Sequence, residues 1–156
     1  MKFLAAVALP LYALDQVTKW WVVRNLEFGG ERTIILGFFD LVHLGNTGAA
    51  FSMFSGNNFF FIVLSVVTLI ALLIAFARGA FPDRHSRWGV GLLTAGILGN
   101  VTDRLVHGHV VDFLVFDLHV WPADPWPAFN VADSCICIAV GFFLLATLRE
   151  ARGAKQ

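Results

Sequence analysis

Two aspartates stand in apolar surroundings where the sequence offers them no neighbouring cation. Asp112 lies within the apolar run 110–116, and Asp133 follows Phe129 and Asn130 at a predicted helix start. Two carboxylates held close together in such a setting cannot both ionise, so one of them keeps its proton. The ionised member can take a proton from an attacking water, while the protonated member hydrogen-bonds a peptide carbonyl oxygen and later protonates the leaving amine. This pattern is compatible with peptide hydrolysis that uses no metal, cofactor or covalent nucleophile.

Further polar residues recur at helical spacing in three apolar segments. Asp15, Thr18 and Lys19 share one face of the first segment. The third segment repeats polar or small residues at Gly96, Gly99, Asn100, Asp103 and His107, and the fourth at Asn130, Asp133, Ser134, Cys137 and Gly141. A charge within hydrocarbon costs ~2.5–3.5 kcal/mol on insertion scales, so charges on facing helices need partners or a purpose. A structural alternative to a site is that Asp15 pairs with Lys19. Asp103 would pair with Arg104 in the same way, and both pairs would help the helices to pack.

The elements that position these residues follow from the composition. The chain has 156 residues, of which 58% are hydrophobic and only 14% are charged. Soluble domains have roughly 45–50% apolar residues, so polar surface is too scarce here and a bilayer is the expected solvent. Four segments approach the ~20 residues that a helix needs to cross the hydrocarbon, at about 3–23, 59–77, 88–105 and 131–148. The sequence therefore predicts a single integral membrane domain, residues 1–156, with four transmembrane helices.

Basic residues at the segment ends predict the orientation. They collect beside one end of the spans, at Lys2, Arg78, Arg84, Arg87, Arg149, Arg152 and Lys155. Because positively charged flanks face the cytoplasm, both termini are expected there, and segments 24–58 and 106–130 are expected outside, with short strands at 33–36 and 110–118. The polar groups then lie in the outer leaflet, near the headgroups. The first span resembles a signal peptide, but it lacks a good cleavage site, so we expect it to be retained.

Other chemistries find less support in the sequence. The net charge is zero and no basic run occurs, so nucleic acid is not an expected partner. His107, His109 and Asp112 could form a zinc trio, but they are nearly sequential and lack outer partners, which favours loop histidines. Neither a serine beside the lysine of the first span nor the Gly-x-Gly-Asp pattern of presenilin-like proteases occurs. Cys135 and Cys137 point to different helix faces, which excludes a bridge between them and indicates packing residues.

A small proton-coupled transporter is the alternative from another functional class. Its intramembrane aspartate and lysine would relay protons. That function predicts charges near the midplane and short loops, whereas here the charges lie toward one leaflet and the outer segments are long. An inert assembly subunit would explain neither Asp112 nor Asp133. The sequence therefore favours catalysis.

Five motifs in order resemble those of the lipoprotein signal peptidases, or signal peptidase II, a family of bacterial aspartic peptidases. They are Asp-x-x-Thr-Lys at 15–19, Asn-x-Gly-Ala-Ala-Phe at 46–51, Gly-Asn-x-x-Asp-Arg at 99–104, Val-Val-Asp-Phe at 110–113 and Phe-Asn-x-Ala-Asp at 129–133. The resemblance extends over nearly the whole chain. One departure is Ala95 before Gly96, where the family usually has two glycines, and it bears only on local helix packing.

The resemblance implies a four-helix bundle with a small extracytoplasmic β-cradle in the bacterial inner membrane. It assigns Asp112 and Asp133 as the catalytic dyad, near the extracytoplasmic face, which cuts before a substrate cysteine that carries diacylglycerol. Lipidated prolipoproteins and membrane lipids are the implied partners, and globomycin-like cyclic peptides the implied inhibitors of a protein that we expect to be a monomer. The residues implied for the pocket or its support are Asp15, Lys19, Asn46, Gly48, Asn100, Asp103, Arg104 and Asn130.

Individual roles can be predicted for three of these residues. We expect Asn46 and Asn130 to hydrogen-bond the substrate backbone or to orient the dyad. Arg104 is expected to hold a carbonyl group or to pair with Asp103. The stretch from Gly48 to Ala50 either admits a substrate chain or forms a plain turn.

Overall fold

Four helices and one small sheet make up the protein. A computed structural model describes residues 1–48, 56–120 and 126–153. The helices are α1 Lys2–Asn25, α2 Asn58–Ala77, α3 Arg84–Val106 and α4 Val131–Gly153. Strands β1 Glu31–Ile35, β2 Phe39–Asn46 and β3 Val110–Phe116 form an antiparallel sheet in the order β1-β2-β3. The four predicted helical segments are confirmed as helices.

The helix bounds differ from the predicted spans mainly at the ends with basic residues. Helix α3 begins at Arg84, before the apolar run, because the Asp83 carboxylate accepts hydrogen bonds from the backbone N–H groups of His85 and Ser86 at 2.8 and 2.9 Å. Such capping satisfies N–H groups that a helix start leaves unpaired. Helix α4 continues beyond the predicted residue 148 to Gly153. Hydropathy marks the apolar part of a helix, and the helices themselves extend into the polar flanks.

Two of the helices are long and apolar enough to cross a membrane by length and composition alone. They are α2 and residues 131–152 of α4, among the residues that the structure describes. No residue of helix α2 is fully buried, although several of its residues are half-buried. Helices α1 and α3 instead carry buried charged side chains. They contact each other, and α3 also packs against α2 and α4.

The sheet corrects the predicted strands. The strand expected at 33–36 runs from Glu31 to Ile35, and Leu36 lies in the following turn with 93% of its surface exposed. Gly37 has a φ of 70°, which an L side chain rarely adopts, so the turn falls there. The strand expected at 110–118 ends at Phe116. Strand β2, which the sequence analysis missed, lies between the other two.

Helices α3 and α4 approach closely through glycines of α3. A Cβ atom at Gly96 would lie 2.6 Å from the Ala132 carbonyl oxygen and 2.5 Å from Cγ1 of Ile136. Both distances are well inside van der Waals contact. Ala95, which stands where the family usually has a second glycine, is only 1% exposed. Its methyl group is therefore packed against its neighbours.

Gly96→Ala is expected to lower the free energy of unfolding by about 1–3 kcal/mol, because the added methyl group forces the two helices apart. Gly141→Ala in α4 is the matched control, since no atom lies within 4 Å of its added Cβ. That change should be neutral or slightly stabilising. Thermal unfolding of both variants in the same detergent measures the difference, and equal unfolding temperatures would contradict the close approach.

Candidate active site

Backbone pairing brings the two predicted catalytic aspartates together. Asp112 lies in β3, and Asp133 in the first turn of α4. Phe129 lies two residues before the start of α4 and pairs with Leu114 of β3: its N–H donates to the Leu114 carbonyl at 3.0 Å and its carbonyl accepts from the Leu114 N–H at 2.8 Å. The start of α4 is therefore held beside the strand that carries Asp112.

Asn130 is hydrogen-bonded to both aspartates and is fully buried. Its Nδ2 donates to Oδ1 of Asp112 at 2.8 Å. Its Oδ1 accepts from the backbone N–H of Asp133 at 2.9 Å, and its own backbone N–H donates to Oδ2 of Asp133 at 3.3 Å. These reciprocal bonds across the first turn also cap α4. The same residue thus starts the helix and joins the two carboxylates.

Two further asparagines complete the hydrogen bonds of the carboxylates. Asn46 Nδ2 donates to Oδ2 of Asp112 at 3.0 Å, and Asn100 Nδ2 donates to Oδ1 of Asp133 at 2.7 Å. Each of the four carboxylate oxygens therefore accepts one N–H group. One lone pair on each oxygen is left for a proton, a water or a substrate atom.

The two aspartates differ in their exposure. Asp112 is 3% exposed, whereas Asp133 is only partly buried and lines a cavity. Burial, followed by the charge of Asp133, raises the pKa of Asp112 to about 7. Hydrogen bonds from Asn46 and Asn130 oppose this rise, because they stabilise the ionised form. At neutral pH Asp112 is therefore poised to hold or release a proton.

Lys19 lies at the centre of a buried ionic network beneath the aspartates. Its Nζ atom is 2.9 Å from Oδ2 of Asp15 and 2.8 Å from Oδ2 of Asp103, and all three side chains are at most 3% exposed. Nζ also donates to Oδ1 of Asn100 at 3.2 Å. Because an ammonium group only donates, this contact fixes the Asn100 amide with its NH₂ group toward Asp133.

The network also holds the two elements that carry the aspartates. Oδ1 of Asp15 accepts the backbone N–H of Ala132, next to Asp133, at 2.9 Å. Oδ2 of Asp103 accepts the backbone N–H of Val111, next to Asp112, at 3.0 Å. Lys19 thus connects, through one acidic residue on each side, the first turn of α4 and strand β3.

These contacts confirm one predicted ion pair and correct another. Asp15 pairs with Lys19 as expected, but Asp103 pairs with Lys19 and not with Arg104. Consecutive residues of a helix point about 100° apart, so Asp103 and Arg104 face different neighbours. Gln16, which sequence reasoning missed, donates to Asp103 Oδ1 at 3.2 Å. Its position three residues before Lys19, on the same helix face, was the available signal.

Arg104 holds a carbonyl group, as one of its two predicted roles required. Its Nη2 donates to the carbonyl oxygen of Gly48 at 2.8 Å, and its guanidinium lies 5.0 Å from the ring centroid of Phe61. Gly48 N–H donates in turn to Oδ1 of Asn46 at 2.9 Å. Gly48 is the one described residue of the stretch from Gly48 to Ala50, so the interpretation of that stretch as a turn stays a prediction. Residues 49–51 of the same motif, and Lys155, lie outside the described residues.

A cavity of about 570 Å³ opens at this site. Its polar lining includes Asn46, Asn100, Arg104 and Asp133, and its apolar lining includes Phe61, Ile97, Val110, Ile136 and Ile138. Cys137 is exposed and also lines the cavity, so its prediction as a packing residue was wrong. Cys135, one helix face away, is buried against Leu92 and Ala139 as predicted. Polar groups and an apolar wall thus meet in one space.

The predicted alternative of a zinc trio is not assembled. Within the described ranges, no three His, Cys, Asp or Glu side chains come close enough to hold a metal ion. The ring of His109 packs against Phe28 with centroids 5.8 Å apart. Burial and the neighbouring His107 lower the pKa of His109, which favours its neutral form.

Comparison with known proteins identifies the family. A family profile described as signal peptidase (SPase) II matches residues 7–149. The chain belongs to the signal peptidase II family. The lipoprotein signal peptidase of Syntrophotalea carbinolica is 41% identical over 153 residues, covering 96% of this chain and 92% of that protein. The lipoprotein signal peptidase of Neisseria meningitidis serogroup C is 38% identical over 154 residues, with coverages of 96% and 92%.

Solved structures agree with this assignment to signal peptidase II. A bacterial membrane enzyme determined by the in meso method at 2.3 Å resolution superposes with a TM-score of 0.88 and 31% identity, covering 97% of this chain and 90% of that one. A second, at 1.9 Å, gives a TM-score of 0.83 and 32% identity, with coverages of 95% and 94%. The chain is therefore a membrane peptidase of the family that processes prolipoprotein signal peptides, and the predicted enzyme class is confirmed.

Proposed function

We propose that Asp112 and Asp133 are the catalytic dyad with which this signal peptidase II cuts its substrate. The observation that carries this proposal is that one buried residue, Asn130, hydrogen-bonds both carboxylates, one of which, Asp133, lines the cavity. Asp133 reaches the cavity, and Asp112 lies buried behind it with a raised pKa. Such an asymmetric pair shares one proton between an acid and a base.

In the proposed reaction Asp133 takes a proton from water as the water oxygen bonds to the peptide carbonyl carbon. The proton on Asp112 hydrogen-bonds the carbonyl oxygen, where negative charge develops. The carbon–nitrogen bond then breaks, the dyad delivers a proton to the leaving amine, and the signal peptide leaves with a new carboxylate. Asn46, Asn100 and Asn130 hold both carboxylates at the angle this exchange needs, and Arg104 and Gly48 shape the adjoining wall.

We propose that all four helices span the inner membrane, with both termini in the cytoplasm and the sheet and dyad near the outer face. Helix α1 supports this, because it exposes Leu9, Leu14 and Val17 outward and buries Asp15 and Lys19 inward. Charged groups within a bilayer face the bundle interior in this way. The basic residues at the opposite ends of the helices support the same orientation.

The substrate proposed for this cavity is a prolipoprotein whose cysteine already carries diacylglycerol, cut on the N-terminal side of that cysteine. When the scissile peptide bond lies beside the dyad, the apolar wall of the cavity is free to contact the diacylglycerol of the substrate. Globomycin-like cyclic peptides are proposed to inhibit by occupying the same space. One copy suffices for the reaction, because the dyad and all its hydrogen-bond donors come from a single chain.

A direct test offers the purified enzyme lipidated and unlipidated forms of one precursor in detergent and determines the cleavage position by mass spectrometry. We expect the lipidated form alone to be cut, immediately before the modified cysteine. Equal cleavage of both forms, or cleavage elsewhere, would reject the proposed substrate.

The raised pKa of Asp112 predicts how cleavage depends on pH. If Asp112 acts as the acid, its protonated form persists up to the raised pKa of about 7, and activity falls above that value as the proton is lost. The slope should approach a tenfold fall in kcat/KM per pH unit. Initial rates from about pH 5 to about pH 9 in one detergent measure this limb. A kcat/KM that stays constant to the upper end would contradict the assignment of Asp112 as the acid.

A further inference from the structure

A second cavity lies at the opposite end of the helices from the dyad. It has a volume of about 630 Å³ and is lined by Arg84, His85, Trp88, Phe142 and Arg149. These residues belong to the first turns of α3 and the later turns of α4. At ~1.5 Å per residue, Arg84 is roughly 24 Å along α3 from Asn100, so this basic cavity is separate from the catalytic one.

The two arginines of the basic cavity are available to an anion. Both are exposed, and among the described residues neither lies within ion-pair distance of a carboxylate. The neighbouring acid, Asp83, is engaged by the backbone N–H groups of His85 and Ser86. The Nδ1 atom of His85 lies 3.4 Å from Nη1 of Arg149. Guanidinium groups that no carboxylate neutralises favour a phosphate, which they bind through several hydrogen bonds.

The remaining lining of the basic cavity is aromatic. Trp88 is half-buried and packs edge-on against Phe3, with ring centroids 5.4 Å apart, and Phe142 lies beside His85 at 6.2 Å. A free phosphate ion makes no favourable contact with aromatic side chains, whereas the glycerol and acyl groups of a lipid can pack against them. Tryptophan at the end of a span is also typical of the membrane interface.

We propose that the basic cavity binds one anionic glycerophospholipid, with the phosphate between Arg84 and Arg149 and the acyl chains against Trp88 and Phe142. The inference rests on the proposed topology, which places this end of the bundle among the cytoplasmic headgroups. Basic residues near that surface attract anionic lipids in general. Lipid binding at a specific site differs from this general attraction, because the affinity then depends on two particular arginines and not on the total positive charge.

Lipid retention by the purified, full-length protein tests the site. Native mass spectrometry would count bound phosphatidylglycerol and phosphatidylcholine after the same detergent wash. The test variant is Arg84→Gln with Arg149→Gln. Its matched control is Arg78→Gln with Arg152→Gln, which removes the same charge from the same end of the bundle but outside the cavity. We expect the test variant to retain at most about one tenth of the phosphatidylglycerol that the unchanged protein retains. The control variant should retain as much as the unchanged protein.

Several results would overturn the site. Equal losses in both double variants would indicate general charge attraction, and equal retention of phosphatidylcholine would indicate an apolar groove. Displacement of the lipid by inorganic phosphate at millimolar concentration would indicate a free-anion site. If the double variant fails to fold, Arg149→Gln alone carries the same comparison against Arg152→Gln. Cleavage by the unchanged protein, assayed on the same preparation, reports separately on the proposed function.

Discussion

Asp112→Asn and Asp133→Asn are each expected to reduce cleavage of a lipidated precursor by about 10³-fold or more. Each variant keeps the size of the side chain and removes the group that carries or accepts the proton, and positioned proton transfer contributes ~10²–10⁴-fold to such reactions. The proposed reaction needs an acid and a base at the same time, so the one carboxylate that remains cannot supply both. The measurement is the rate of product formation under single-turnover conditions.

The control for this loss is Asp117→Asn, the same isosteric change just beyond the end of β3. Asp117 is 33% exposed and its side chain pairs with His119 at 3.1 Å, a partner that the proposed reaction does not use, so the cleavage rate should stay within about twofold of the unchanged protein. Thermal unfolding of all three variants establishes that the dyad variants are folded. Turnover by either dyad variant at a rate near that of the control would remove that residue from the mechanism.

Periodicity and hydropathy predicted the four helices and the polar faces of three of them. They succeed because a residue's position on a helix face follows from its number alone. That Asp112 and Asp133 lie close together was also predictable, although from the resemblance of the motifs to those of the lipoprotein signal peptidases and not from spacing. The hydrogen bonds between Phe129 and Leu114 that bring the two aspartates together link distant parts of the chain, and no local pattern encodes them.

The partners of the charged residues were less predictable. Adjacency in the sequence suggested that Asp103 pairs with Arg104, but the structure turns the first toward Lys19 and the second toward Gly48. Which face of a helix meets which neighbour depends on how the helices pack. Strand β2 was missed for a related reason: its residues Phe39 to Asn46 lack a regular alternation of buried and exposed positions.

The ionic network explains why so many charges are buried beneath the dyad. Asp15 and Asp103 each accept a backbone N–H beside one of the two proposed catalytic aspartates, and Lys19 neutralises part of their charge. Removing the cation from such a group leaves uncompensated buried carboxylates. The same lysine also fixes the orientation of Asn100. Stability and catalytic geometry therefore depend on one side chain.

Lys19→Met is accordingly expected to lower the free energy of unfolding by about 3–5 kcal/mol, which is a large fraction of the ~5–15 kcal/mol available to a typical protein. Among the described residues, Lys19 is the one cation within ion-pair distance of these two carboxylates, which are at most 2% exposed and would lose it. Lys2→Met at the exposed start of the same helix is the matched control, and its unfolding should be unchanged. Thermal unfolding in detergent compares the two.

A neutral version of the network separates the structural role of Lys19 from its positioning role. The variant combines Lys19→Met with Asp15→Asn and Asp103→Asn, and most of the lost stability should return, because well-packed neutral groups often replace a buried ion pair without penalty. Its cleavage rate should nevertheless remain about tenfold or more below that of the unchanged protein, because Asn100 Oδ1 then loses its charged donor and keeps only the neutral bond from Asn130 Nδ2, at 3.3 Å, to orient the amide toward Asp133. The expected signature is a lower kcat with a nearly unchanged KM. Full recovery of kcat together with stability would mean that Lys19 serves the fold alone, and that the bond from Asn130 is enough to position Asn100.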